Sequence, residues 1–213
     1  MKRKIFFATY TGLFVFLNIV FFLIFLGFSY KYGDAATSWV ALMPSAVLSG
    51  HGLWTFLTSM FMHASIGHLF VNMLSLVFIG GFVEKLIGKK RYLWLYLGSG
   101  LFAGIFFVLV AYMTGTDMNV YAVGASGAIF GLGGLLAVLT PRLPVLVFFI
   151  IPMPMWAAMV FLLAVLWLLS ASLSLPVGNV AHLGGFLVGL AYGFYLRQKY
   201  PRKASMISRY FAQ

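Results

Sequence analysis

Residues 121–144 read YAVGASGAIFGLGGLLAVLTPRLP. An uncharged apolar run opens among small residues around a single serine, Ser126, and is stopped by TPRLP. From about Val123 to Leu139 it reads as a helix inside a bilayer. A serine at the start of such a helix has two readings. It is packing material, because small residues let helices approach closely, or it is a nucleophile held where water is scarce. The choice depends on what else lies at its depth.

The rest of the chain is of the same kind. Of 213 residues, 63% are hydrophobic and 8% charged, with a mean hydropathy of +1.04. A soluble domain carries about 25% charged residues, so the composition predicts an integral membrane protein with several spans in one domain, residues 1–213. Cysteine is absent, which excludes disulfides and thiolate chemistry. A net charge of +11 in a soluble protein would suggest nucleic acid. Here the distribution of that charge suggests orientation in a bilayer instead, and no nucleic-acid partner is expected.

MKRK at the start resembles a basic leader, but the chain is uncharged from Ile5 to Tyr30. That is too long for a signal core and adequate for a first span. Further spans are expected at about Gly67–Ile87, Tyr92–Met113, Val123–Leu139, Pro154–Ser170 and Val180–Leu196. Pro154 suits the first turn of the fifth. The β-branched run VLVFFII before it is expected at the membrane interface, a kinked continuous helix being the alternative.

Thirteen of the fourteen Lys and Arg then fall on one side: Lys2, Arg3, Lys4, Lys85, Lys89, Lys90, Arg91, Arg142, Arg197, Lys199, Arg202, Lys203 and Arg209. Lys31 alone falls on the other. Six spans with both termini cytoplasmic satisfy the positive-inside rule. The expectation is an all-α, polytopic six-helix bundle. A long outer loop, about residues 29–66, carries Trp39 and Trp54 and is expected to lie in the membrane surface. The C-terminal segment, about 197–213, reads as a short basic cytoplasmic tail.

Polar residues share one depth. His68, Ser126 and His182 each fall near the outer end of a span, and His51 and His63 lie in the outer loop. Ionisable groups inside membrane segments are costly and face the bundle interior or a water cavity. In the sixth span Ala181, Gly185, Gly189 and Gly193 form a strip of small residues beside His182. Gly127 and Gly131 form another beside Ser126. If the strips face each other, Ser126 and His182 come within reach. If not, Ser126 bonds back to its own helix and His182 donates to a carbonyl.

His68 and Asn72 lie at i and i+4, on one helix face. They either bridge helices or aim donors at a developing oxyanion. His63, His68 and His182 are rivals for a zinc site, but no HExxH spacing or carboxylate accompanies them, and no metal or other cofactor is expected. Glu84 lies ~18 Å deeper than Asn72 and is expected to have a buried structural partner. Asp34 and Asp117 belong to outer loops. Any catalytic unit is therefore a Ser–His dyad.

At these residues the chain closely resembles the rhomboid family of intramembrane serine proteases. GASG carries the family's GxSG motif as Gly124, Ala125, Ser126 and Gly127. AHLGG, Ala181–Gly185, matches Ala-His-x-x-Gly and gives His182. HLFVN matches His-x-x-x-Asn and gives His68 and Asn72. The resemblance spans the six-helix core and implies peptide-bond hydrolysis near the outer leaflet. Ser126 would be the nucleophile and His182 the general base, then acid. The Ser126 backbone N–H, His68 and Asn72 would hold the oxyanion, and substrates would be transmembrane proteins. It also implies a multi-pass protein, expected in the cell membrane, with the site toward the outer side.

Two positions depart from the family pattern. Trp54 is followed by Thr55 rather than Arg, and Phe130 stands where many members have a tyrosine stacked on the histidine. The rival functions are a rhomboid-like binding factor without proteolysis and, less favoured, a transporter. Inactive relatives typically lack the serine or the histidine, and both are present here.

Overall fold

The computed structural model describes residues 9–148, 150–173 and 178–211. Lys2, Arg3, Lys4 and the expected start of the first span at Ile5 lie outside the described residues. The chain begins with α1 (Tyr10–Tyr32) and continues through three short helices, α2 (Ala35–Val40), α3 (Pro44–Leu48) and α4 (Thr55–Thr58). Helix α5 (Ile66–Ser75) runs through a π-helical turn (Leu76–Gly80) into α6 (Gly81–Ile87). Helix α7 (Lys89–Thr114) leads to α8 (Ser126–Leu139). Strands β1 (Pro144–Val147) and β2 (Ile151–Pro154) precede α9 (Met155–Leu173), α10 (Asn179–Lys199) and α11 (Pro201–Tyr210).

Among the described residues five helices are long and apolar enough to cross a membrane: α1, the continuous Ile66–Ile87 helix, α7, α9 and α10. Their outward faces are apolar, as lipid requires. Helix α1 buries Phe14, Asn18 and Phe22 along one face and exposes Phe16, Leu23 and Ile24 on the others.

Helix α8 differs. At 14 residues it reaches about 21 Å, short of a hydrocarbon core of about 30 Å. It starts at Ser126 rather than near Val123, because Gly124 has φ +122°, a conformation that no helix contains and that L side chains avoid. Nearly all of α8 is buried. It forms the middle of the bundle.

The fit around α8 rests on missing side chains. A Cβ at Gly185 would collide with the Gly127 carbonyl oxygen, and one at Gly189 with that of Gly131. Backbone lies directly on backbone, so α8 and α10 approach as closely as helices can. The two strips of small residues face each other.

Glu84 closes the opposite end of the bundle. Its carboxylate accepts the N–H groups of Tyr10 and Thr11 at 2.9 Å and the Thr11 hydroxyl at 2.8 Å. These are orphan donors at the positive end of α1, which is why a carboxylate is tolerated while buried.

Three local features differ from the sequence reading. VLVFFII does not continue as a kinked helix; its first residues pair with Ile151–Pro154 in an antiparallel hairpin, Val145 opposite Met153. Pro152 and Pro154 lack an N–H, which a two-stranded ribbon tolerates because both strands are edges. The π-helical turn at Leu76–Gly80 has no composition signal. The C-terminal segment is helical: α10 extends to Lys199 and α11 follows at once.

Candidate active site

Two pieces of the loop after α1 hold the approach to Ser126. Leu42 and Ala122 exchange backbone hydrogen bonds of 3.1 and 2.8 Å, and the Gly124 N–H donates to the Ser59 carbonyl at 2.8 Å. The chain then turns into α8 with Ser126 as its first residue, at the positive end of the helix, where backbone N–H groups have no intrahelical acceptor.

His182 is the fourth residue of α10. Its Nε2 lies 2.7 Å from Ser126 Oγ. His182 is buried while Ser126 is half-buried. The Phe130 ring, one turn along α8, stacks on the imidazole with centroids 4.6 Å apart and planes at 17°. This contact is made without a hydroxyl. His182 Nδ1 is buried and has no hydrogen-bond partner among the described residues. Asp34 and Asp117 are exposed, and Glu84 is engaged at the far end of the bundle. The structure brings Ser126 and His182 together with no carboxylate beside them.

His68 borders the same space. Ser65 caps α5 by accepting the His68 N–H at 3.1 Å. A Cβ on Gly124 would lie 2.9 Å from His68 Cε1, 3.0 Å from its Nε2 and 3.6 Å from Ser126 Oγ. The gap left by Gly124 is thus walled by the imidazole and the serine. Asn72 is buried one turn further along, but its Nδ2 donates to the His68 carbonyl at 2.9 Å. One amide N–H is spent on its own helix and one remains.

His63 sets its ring edge-on to His68, with centroids 5.0 Å apart. It is fully buried, and neither ring nitrogen meets hydrogen-bond geometry with a partner among the described residues. Burial, aided by His68, pushes the His63 imidazole down to about 3. His51 is exposed beside Ser49 and away from this group. Among the described residues no three His, Asp or Glu side chains gather as a metal site. At the first departure from the family pattern, Trp54 donates its indole N–H to the Trp39 carbonyl at 2.8 Å and Thr55 bonds the Gly52 carbonyl at 2.6 Å.

One contact at the site escaped the sequence reading: the Ser59 carbonyl that holds Gly124 leaves no mark in the sequence.

A family model described as "Rhomboid domain" matches residues 50–199. The chain belongs to the rhomboid family. Among rhomboid relatives, "RHOMBOID-like protein 2" of Arabidopsis thaliana is 40% identical over 168 residues, 78% of this chain and 50% of the relative. "Rhomboid protein 1, mitochondrial" of Saccharomyces cerevisiae is 33% identical over 141 residues, 65% of this chain and 40% of the relative. "Inactive RHOMBOID-like protein 8" of Arabidopsis thaliana is 34% identical over 97 residues, 46% and 24%. The chain spans half or less of the length of these curated relatives. Rhomboid membership together with the span-length helices makes it an integral membrane protein. One of these relatives is inactive and another mitochondrial by name.

Proposed function

We propose that this rhomboid is an intramembrane serine endopeptidase that cleaves transmembrane segments of membrane proteins near the surface where α8 begins. The observation that carries this reading is the 2.7 Å hydrogen bond between Ser126 Oγ and His182 Nε2, joining two helices in a water-poor setting. In the reaction His182 Nε2 takes the Ser126 proton as Oγ bonds to the substrate carbonyl carbon. The tetrahedral intermediate carries its charge on the former carbonyl oxygen. Donors for that charge are the Ser126 backbone N–H, the His68 imidazole and the remaining amide N–H of Asn72. Collapse breaks the C–N bond, and His182 passes its proton to the leaving amine. Water then attacks the acyl-enzyme, with His182 again as base, and releases the acid and Ser126.

Small residues support both requirements of this chemistry. Gly185 allows α10 to rest on the Gly127 backbone and bring His182 to the serine, Gly127 leaves room for Ala103 of α7, and the Ala181 carbonyl lies on the same face. Gly124 leaves room for a scissile bond. The short α8, with Ser126 as its first residue, favours a substrate segment that unwinds at the membrane surface. The thirteen-to-one charge bias favours both termini cytoplasmic and the Ser126 end outside.

The test is cleavage of a model transmembrane substrate by reconstituted protein. Wild type should cleave it, and Ser126→Ala and His182→Ala should each lose at least about 10³-fold. Wild-type turnover in Ser126→Ala would overturn the mechanism. Intact substrate retained by wild type without cleavage would favour a non-proteolytic binding factor.

A further inference from the structure

Helix α11 follows α10 with Tyr200 alone between them. No connector lets it leave the membrane surface on which α10 ends. One face is docked: Ala204 is buried, Ile207 and Ser208 are half-buried, and Phe211 sets its ring edge-on to Phe82 at 5.6 Å. The other face exposes Arg202, Lys203 and Arg209 beside Met206, 67% exposed, and Tyr210, 74% exposed.

The same corner gathers more cations, and their partners are aromatic. Arg91, at the start of α7, donates to the Tyr200 hydroxyl at 2.9 Å and lies 5.1 Å over its ring. Lys199 donates to the Tyr195 hydroxyl at 2.7 Å and lies over the rings of Tyr195 and Tyr200. The chain holds three side-chain carboxylates in all. Asp34 and Asp117 belong to loops at the Ser126 end, and Glu84 is buried on the N–H groups of Tyr10 and Thr11. This corner has no acidic side chain of its own to balance it.

We propose that α11 and the adjoining corner bind anionic phospholipid headgroups, a property independent of the proteolytic reading. Arg202, Lys203 and Arg209 meet phosphate oxygens, for which guanidinium groups have matching geometry. Met206 and Tyr210 enter the boundary between headgroups and acyl chains, as on other interfacial helices. A soluble acidic protein or a nucleic acid would meet the charge but leave those two side chains in water. A lipid satisfies both halves of the face.

The test is native mass spectrometry of the full chain released from micelles doped equally with phosphatidylglycerol and phosphatidylcholine of identical acyl chains. Wild type should retain phosphatidylglycerol about tenfold over phosphatidylcholine. The combined Arg202→Gln, Lys203→Gln and Arg209→Gln variant should bring that ratio to about one. Ser126→Ala should leave it unchanged, which separates this site from the catalytic proposal. Should the triple variant not fold, salt provides the second measurement. Raising ionic strength fivefold should erode the wild-type preference, because exposed charges are screened. Equal retention of the two lipids by wild type, or a preference indifferent to both salt and substitution, would overturn the proposal. So would loss of the lipid to excess glycerol phosphate or to a short oligonucleotide, which would reassign the site to a soluble anion.

Discussion

Ser126 Oγ and His182 Nε2 stand 2.7 Å apart, and the far nitrogen of that imidazole, Nδ1, is buried without a partner among the described residues. In soluble serine proteases a buried carboxylate occupies that position and fixes the tautomer. Here Phe130 stacked on the ring and the fixed path of α10 do the orienting. Asp34→Asn and Asp117→Asn should therefore keep most of the wild-type kcat/KM on a transmembrane substrate. A loss of more than about tenfold in either would reveal an acid in the mechanism.

Asn72 and His68 should share one oxygen. Asn72→Ala should lower kcat by about tenfold to a hundredfold with little change in KM, less than the loss for a sole oxyanion donor, because the Ser126 N–H and His68 remain. Adding His68→Ala should cost less than the product of the single effects. Its bond to the His68 carbonyl gives Asn72 a structural share as well, so each variant needs a melting curve. A kcat loss that merely tracks the unfolded fraction would defeat the oxyanion role.

Gly185→Ala places a methyl 2.8 Å from the Gly127 carbonyl carbon and closer still to its oxygen. Backbone cannot swing aside, so α10 must move off α8. A destabilisation of about 1–3 kcal/mol is expected, together with a fall in kcat beyond that caused by unfolding. Gly98→Ala is the control, since a Cβ there meets nothing within 4 Å; it should leave Tm unchanged or slightly raised. Equal behaviour of the two variants would contradict the role of the small-residue contact.

His63 makes stability depend on pH. Its folded value lies near 3 against an ordinary 6.5. Between those values the unfolded chain binds the extra proton, so the His63 contribution is complete above about pH 6.5 and declines as pH falls. Tm should drop between about pH 7 and pH 5, and drop less in His63→Gln. Identical slopes would show that the buried imidazole is not the cause.

The legible part of the molecule was the part that apolar length and residue spacing determine. Ile66–Ile87 and Asn179–Lys199 match their expected spans within a few residues, because bilayer thickness leaves little freedom. Ser126 and His182 could be placed near one depth by counting along their helices. The rest depends on contacts that no spacing records. Glu84 reaches the start of α1, 73 positions away from Thr11, and the Ser59 carbonyl holds Gly124 through backbone alone. VLVFFII carries β propensity, but its pairing needed the proline-bearing strand after it. Asn72 had the right spacing from His68, yet spacing could not say that one amide hydrogen would turn back to the helix. The apolar residues of α11 are too few to have marked it as a helix against its basic background.

The central claim is that Ser126 is a nucleophile activated by His182. Its most direct measurement is a serine-reactive phosphonate applied to membranes holding the wild-type chain, with the adduct located by mass spectrometry of peptides. A covalent adduct on Ser126 that disappears in His182→Ala, while that variant stays folded, is the predicted result. No adduct on Ser126, or one that forms equally fast without His182, would contradict it.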